Sequence, residues 1–279
     1  MKRILSYLLA VLFITVIVTS CQQEENLNQI SDTDIQAAEN ETEMESILED
    51  VDDITFYSLL SATNSRVAED QDSPLRCAEV THDHENKTII IDFGDGCEDR
   101  RGRVRKGIIM ITYTDHRFIP GAVQIITFNE FYIDGKKIEG LRTRENISES
   151  IEDPLKYRIT LTNGKVTWED GSFATREAEW VRTRIRAANP INDQIINEGN
   201  ASGITRRDQN YTVEITKPIV WKRGCLPALR IFVPVAGIKV KTLGDRVITI
   251  DFGDGECDNL YTVTKDGVTV EREFKRNRH

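Results

Sequence analysis

Two periodicities divide the chain. Between Ser31 and about Leu60 the apolar residues Met44, Ile47, Leu48, Val51, Ile54 and Tyr57 recur at helical spacing while Glu and Asp fill the other face, which predicts one amphipathic helix over 42–61. A polar linker, Asn64 to Pro74, follows. Beyond it the period falls to two: Tyr211, Val213 and Ile215 alternate with Thr212, Glu214 and Thr216, the pattern of a strand buried on one face. Strands are expected near 88–93, 104–114, 122–133, 136–143, 157–162, 165–168, 172–186, 210–217, 229–240, 246–252, 259–265 and 268–274. Asp134-Gly135, Asn163-Gly164, Asp170-Gly171 and Asp266-Gly267 fall between such runs and read as tight hairpin turns. Asn189–Asn197 reads as a short turn of helix. The expected fold is mainly β: a long antiparallel meander over 73–279, curled into a sandwich or partial barrel, with one N-terminal amphipathic helix.

One stretch occurs twice. Thr88-Ile89-Ile90-Ile91-Asp92-Phe93-Gly94-Asp95-Gly96-Cys97 returns as Val247-Ile248-Thr249-Ile250-Asp251-Phe252-Gly253-Asp254-Gly255-Glu256-Cys257, and each copy has its own upstream cysteine, Cys77 or Cys225. Related segments near 77–114 and 225–275 therefore bracket the β region. If each copy is self-contained, the bonds are Cys77–Cys97 and Cys225–Cys257; a four-cysteine zinc site is the rival, but the paired C-x-x-C knuckles of such sites are missing.

The start of the chain explains why disulfides are expected. Lys2 and Arg3 precede an apolar run, Ile4 to Val18, too short for a span of about 20 residues. Val18-Thr19-Ser20-Cys21 then resembles the lipobox of bacterial lipoproteins, which implies a signal peptide over 1–20, acylation of Cys21 and a membrane partner reached through that anchor. Gln22-Gln23-Glu24-Glu25 resembles the short acidic signal that sends Bacteroidota lipoproteins to the cell surface, in keeping with outer-membrane, lipid-anchored localisation; a solvated spacer would look the same.

Charge narrows the partners. The formal charge of −10 becomes −12 once Lys2 and Arg3 are cleaved, and the excess is local: residues 22–72 hold fifteen acids against Arg66 alone. From Ser73 onward 33 bases face 31 acids, so no basic stripe marks a nucleic-acid binder. The division read from this is an acidic linker over 21–41, helix and linker over 42–72, and the β domain.

Lipobox, acidic linker, helix, two Cys…IDFGDG-Cys units, DG-type hairpins, a Trp-Glu-Asp-Gly turn and the segment Asn200-Ala201-Ser202-Gly203 follow one another in this order. Taken together, they resemble the uncharacterised lipoproteins of Bacteroidota that carry paired DFG-x-G-C motifs. The resemblance covers nearly the whole chain and implies location and fold; it lends no activity.

Candidate chemistry is sparse. The acids of the DFGDG loops, Asp92, Asp95, Glu98 and Asp99 with Asp251, Asp254, Glu256 and Asp258, offer oxygens to calcium but lack the D-x-D-x-D-G spacing; each Asp capping its own Gly turn is the simpler account. His82 and His84 share a strand face yet run into Asn86-Lys87, a hairpin tip, so no metal or other cofactor is expected. With only His116 and His279 besides, a Ser-His-Asp triad has little material, and no pair of acids stands out for glycoside hydrolysis. As a strand, 176–184 puts Arg176, Trp180, Arg182 and Arg184 on one face, with Trp168 across the Asp170-Gly171 turn: an aromatic platform beside guanidinium forks, able to hold a glycan or an envelope protein. Arg stems covering apolar surface would give the same pattern. Arg100-Arg101-Gly102-Arg103-Val104-Arg105-Lys106 reads as a solvated sheet edge. The expected function is a non-catalytic surface module for binding or structure. The alternatives are a periplasm-facing carrier holding a lipid or lipoprotein in a half-barrel, and an envelope hydrolase.

Overall fold

The computed structural model describes residues 30–61, 73–99, 102–189, 192–229 and 232–274; the signal segment, Cys21, Arg100 and Arg101 lie outside the described residues. Helix α1 (Asp32–Ser61) comes first and a single antiparallel sheet follows. Its strands are β1 (Glu79–Asp83), β2 (Thr88–Asp92), β3 (Cys97–Glu98), β4 (Val104–Tyr113), β5 (Val123–Ile133), β6 (Lys136–Asn146), β7 (Leu155–Thr167), β8 (Phe173–Ile185), β9 (Gln194–Ile204), β10 (Asn210–Lys222), β11 (Ala236–Leu243), β12 (Arg246–Asp254), β13 (Leu260–Lys265) and β14 (Val268–Glu273). Strand follows strand in chain order, with β3 alone off the path on β4. The sheet does not close: β1 and β14 are its ends.

It is a partial barrel rather than a sandwich. Side chains of α1 meet β4, β6, β8, β11, β12 and β13 at once, so the sheet curls round the helix and uses it as the core filler. Met44, Ile47, Leu48, Val51 and Ile54 are buried, as their spacing predicts. The helix starts ten residues before the expected start at 42, where Ser31 caps it: Ser31 Oγ accepts the Asp34 N–H (3.2 Å) and donates to Asp34 Oδ2 (2.6 Å). Residues 32–41 are thus helix, not linker.

Asp134-Gly135 and Asp266-Gly267 turn with positive φ at both positions, the geometry that two-residue hairpins require. Asn163-Gly164 does not turn. β7 runs straight through it with a register shift between Leu161 and Gly164, opposite a second shift at Gly140 on β6. A Cβ on Gly140 would sit 2.9 Å from Gly164 Cα, so the two glycines allow a double bulge where the strands come closest. A second difference is β9, which occupies the stretch expected as a turn of helix and the Gly-rich run after it. Gly199 faces Trp180 on β8 there, with room for no Cβ: one would lie 2.6 Å from Trp180 Cβ. The stretch expected as strand from 229 is instead led by a short helix, α2 (Leu226–Leu229), with the strand starting at Ala236.

Both motif copies fold alike. Asp92 Oδ1 accepts the Gly94 N–H (2.7 Å) and Asp251 Oδ1 accepts the Gly253 N–H (2.9 Å), while Phe93 and Phe252 are buried. Cys77 bonds to Cys97 and Cys225 to Cys257, with Cα atoms 5.7 and 5.1 Å apart. The aspartates cap their own turns, and among the described residues no group of three or more His, Cys, Asp or Glu is placed to hold a metal.

Candidate functional site: the charged interior and its mouths

The concave face of the sheet is lined by cations because three strands reverse the usual alternation. On β11, Lys239 and Lys241 point inward and are buried while Ile238 and Val240 lie on the outer side. On β6, Arg142 and Arg144 are buried while Leu141 is exposed. On β8, Arg176, Trp180 and Arg182 share the inward face, as their spacing predicts. That face, however, is covered. Each is less than a tenth exposed, because α1 lies on it.

The helix answers most of the wall's cations with an acid, while Arg144 lies over the Tyr157 ring (4.6 Å) instead. Its thirty residues contain ten acids and no base. Glu41 meets Arg176 (2.9 Å) and Lys241 (3.0 Å); Glu45 meets Lys239; Glu49 meets Arg182. Asp50 takes Arg105 Nε at 2.7 Å and Nη2 at 2.5 Å. Asp52 takes Arg142 Nε (2.9 Å) and Nη2 (2.6 Å) and also meets Arg182 (2.7 Å). Asp34 receives Arg246 (2.7 Å) and Lys265 (3.4 Å). Arg103, just before β4, and Arg105 on it, both expected on a solvated edge, thus reach Asp50 of the helix, and β4 is flanked on both sides by other strands.

Burial alone would neutralise these acids, and the cations decide which stay charged. Burial works to raise Asp52, but Arg142 and Arg182 carry it down to about 2. Glu49 goes the other way: burial pushes it up to about 7, Arg182 opposes, and Asp52 beside it adds to the rise. Lys239 is lowered to about 8 by burial, against the pull of Glu41.

The remaining candidate residues scatter. Arg184 binds Asp193 (2.8 Å) and stacks on Phe56 (4.1 Å). Trp180 lies under Arg142 (4.9 Å). Trp168 lies beyond the end of β7, half-buried, with the Arg206 guanidinium 4.3 Å from its ring centroid. His82 donates to or accepts from Tyr113 (2.6 Å), and its ring lies 3.7 Å from that of His84.

Open spaces adjoin the helix among the described residues. One of about 330 Å³ lies between Arg103 and Lys136 on one side and Tyr261 and Phe274 on the other. One of about 20 Å³ lies beside Trp180. The third, about 280 Å³, is bounded by the first turns of α1, the β7–β8 turn with Trp168 and the β9–β10 turn with Arg206 and Arg207. Sequence reasoning missed Arg206 and Arg207, which stand in a Thr205-to-Gln209 turn with no aromatic beside them in the chain to draw notice.

Comparison with protein-family models, curated proteins and solved structures returned no match.

Proposed function

We propose that the chain is a non-catalytic lipoprotein of the cell envelope, akin to the Bacteroidota lipoproteins with paired DFG-x-G-C motifs. It is anchored through Cys21 to the outer membrane, faces the cell surface and serves as a binding or structural accessory module. One observation carries the non-catalytic part: the acids gathered at the centre of the fold are tied to arginines and lysines of the wall, so none is placed to act as acid or base on an outside substrate. Two disulfides suit an oxidising compartment. A carrier of hydrophobic ligands is the lesser reading. The space between α1 and the sheet at Trp180 is about 20 Å³, so an acyl chain would enter only if α1 left.

Metabolic labelling with a palmitate analogue should tag the wild-type chain and not Cys21→Ala, and protease added to intact cells should degrade the β domain. Labelling of the alanine variant would sink the anchor. Protection until the outer membrane is broken would leave a periplasm-facing protein instead.

A further inference from the structure

The cavity beside Trp168 differs from its surroundings in charge. Arg206, Arg207, Lys241 and Arg246 line it against Glu41 and Asp170, and with Asp34 paired to Arg246 the cations still outnumber the acids. Its volume, about 280 Å³, lies near the lower end of the range for small-molecule sites, roughly 300–1,000 Å³.

The walls are fixed before any ligand arrives. Asp170 Oδ1 accepts the Ser172 N–H (3.0 Å) and hydroxyl (2.5 Å), which sets the β7–β8 turn. Arg206 is then held in plane by Nε donating to Ser172 Oγ (2.8 Å) and Nη2 donating to Asp170 Oδ2 (2.8 Å), with Trp168 beneath it. Across the opening, Arg207 donates to Gln36 Oε1 (2.6 Å) and Arg246 to Gln209 Oε1 (2.9 Å). These bonds use the amide oxygens and leave the amide N–H groups of Gln36 and Gln209 as donors. Among the described residues no bond engages Nη1 of Arg206 or Nη1 of Arg207.

We infer that this pocket binds an acidic saccharide, a sugar bearing a carboxylate such as a uronic acid. The free guanidinium N–H groups of Arg206 and Arg207 take the carboxylate. Gln36, Asn40 and Gln209 bond ring hydroxyls, and Trp168 joins Met44, Tyr211 and Leu243 in the apolar wall against which the C–H face of a pyranose packs. A neutral sugar would use the amides and the ring but not the charge. The inference deepens the accessory-module reading and rests on it.

The test is calorimetric titration of the full chain in detergent with a galacturonic acid trimer and, separately, a galactose trimer. The acidic trimer should bind saturably and the neutral one about tenfold more weakly or worse, by the worth of a charge-assisted hydrogen bond. Arg206→Gln should shrink that preference by weakening the acidic trimer alone, with Arg207 keeping part of it, while Trp168→Ala should weaken whatever binding either trimer shows. Both side chains are partly exposed, so circular dichroism should confirm folded variants. Failure of the acidic trimer to bind, equal binding of the two, or full acidic binding by Arg206→Gln each overturns the inference. None of these touches palmitate labelling or protease accessibility, so the failure of the pocket and the failure of the envelope reading are told apart.

Discussion

Asp52 is the residue on which the interior most depends. It answers both Arg142 and Arg182, and all three are buried, so Asp52→Asn leaves Arg142 without its carboxylate and Arg182 with Glu49 alone; a loss of about 3–5 kcal/mol is expected from urea unfolding. Arg142→Met removes one partner and should cost less than Asp52→Asn, since Arg182 still holds the carboxylate. The same neighbourhood sets the pH response. Asp52, lowered to about 2 from 3.8, contributes stability that is present above 3.8 and lost as pH falls through 2. Glu49, raised to about 7 from 4.5, contributes stability that is full below 4.5 and lost as pH rises through 7. Stability should therefore peak between about pH 4 and 6 and sag toward pH 8. Glu49→Gln should flatten that sag, read as urea midpoints at pH 5 and 8; an undiminished decline would place its cause elsewhere. No pattern in the sequence separates Glu49 from the other nine acids of α1. Its partner Arg182 meets it only across 133 residues of chain, although Asp52 stands three positions on along the same helix.

At the scale of elements, the strands were readable wherever apolar and polar residues alternate, as in β4, β5, β8 and β10. Local chemistry was readable too: the two motif turns, the capping aspartates and the cysteine pairs follow from duplication alone. Cys77→Ser with Cys97→Ser should cost about 3 kcal/mol, since that bond closes a separation of 20 residues, and the longer 225–257 loop should cost slightly more. Matched melts with and without reductant would show it, and a shift absent from both pairs would remove the turns from the list of stabilising features. What stayed hidden depends on partners distant in sequence. Asn163-Gly164 has the composition of a hairpin, and only Gly140 opposite makes it a bulge. β9 lacks alternation because Gly199 must yield to Trp180. The inward arginines of β8 look, from sequence, like a binding face or like stems snorkelling over apolar surface, because nothing in a strand's own residues says that an acidic helix lies against it. For the same reason the extra turns of α1 at 32–41 passed for linker: acids without bases look solvated until the wall is seen.

For the molecule as a whole, an open sheet of fourteen strands closes its interior with a rod of ten negative charges rather than with a second sheet. That arrangement dictates an order of events. Acids spaced three and four apart with no base among them repel, so α1 has little reason to be helical by itself. Its partners are far off: the Asp34–Arg246 contact spans 212 residues, and Asp52–Arg142 spans 90. The first element to be synthesised is thus among the last to find its place, and a chain so rich in distant pairings belongs among slow folders. In stopped-flow refolding, helical signal should rise together with the slow sheet phase; a helix complete in the dead time would contradict this. Until the wall has assembled, residues 32–61 travel as an extended acidic leader, and the sheet behind them is a bare cationic trough open to whatever polyanion it meets first.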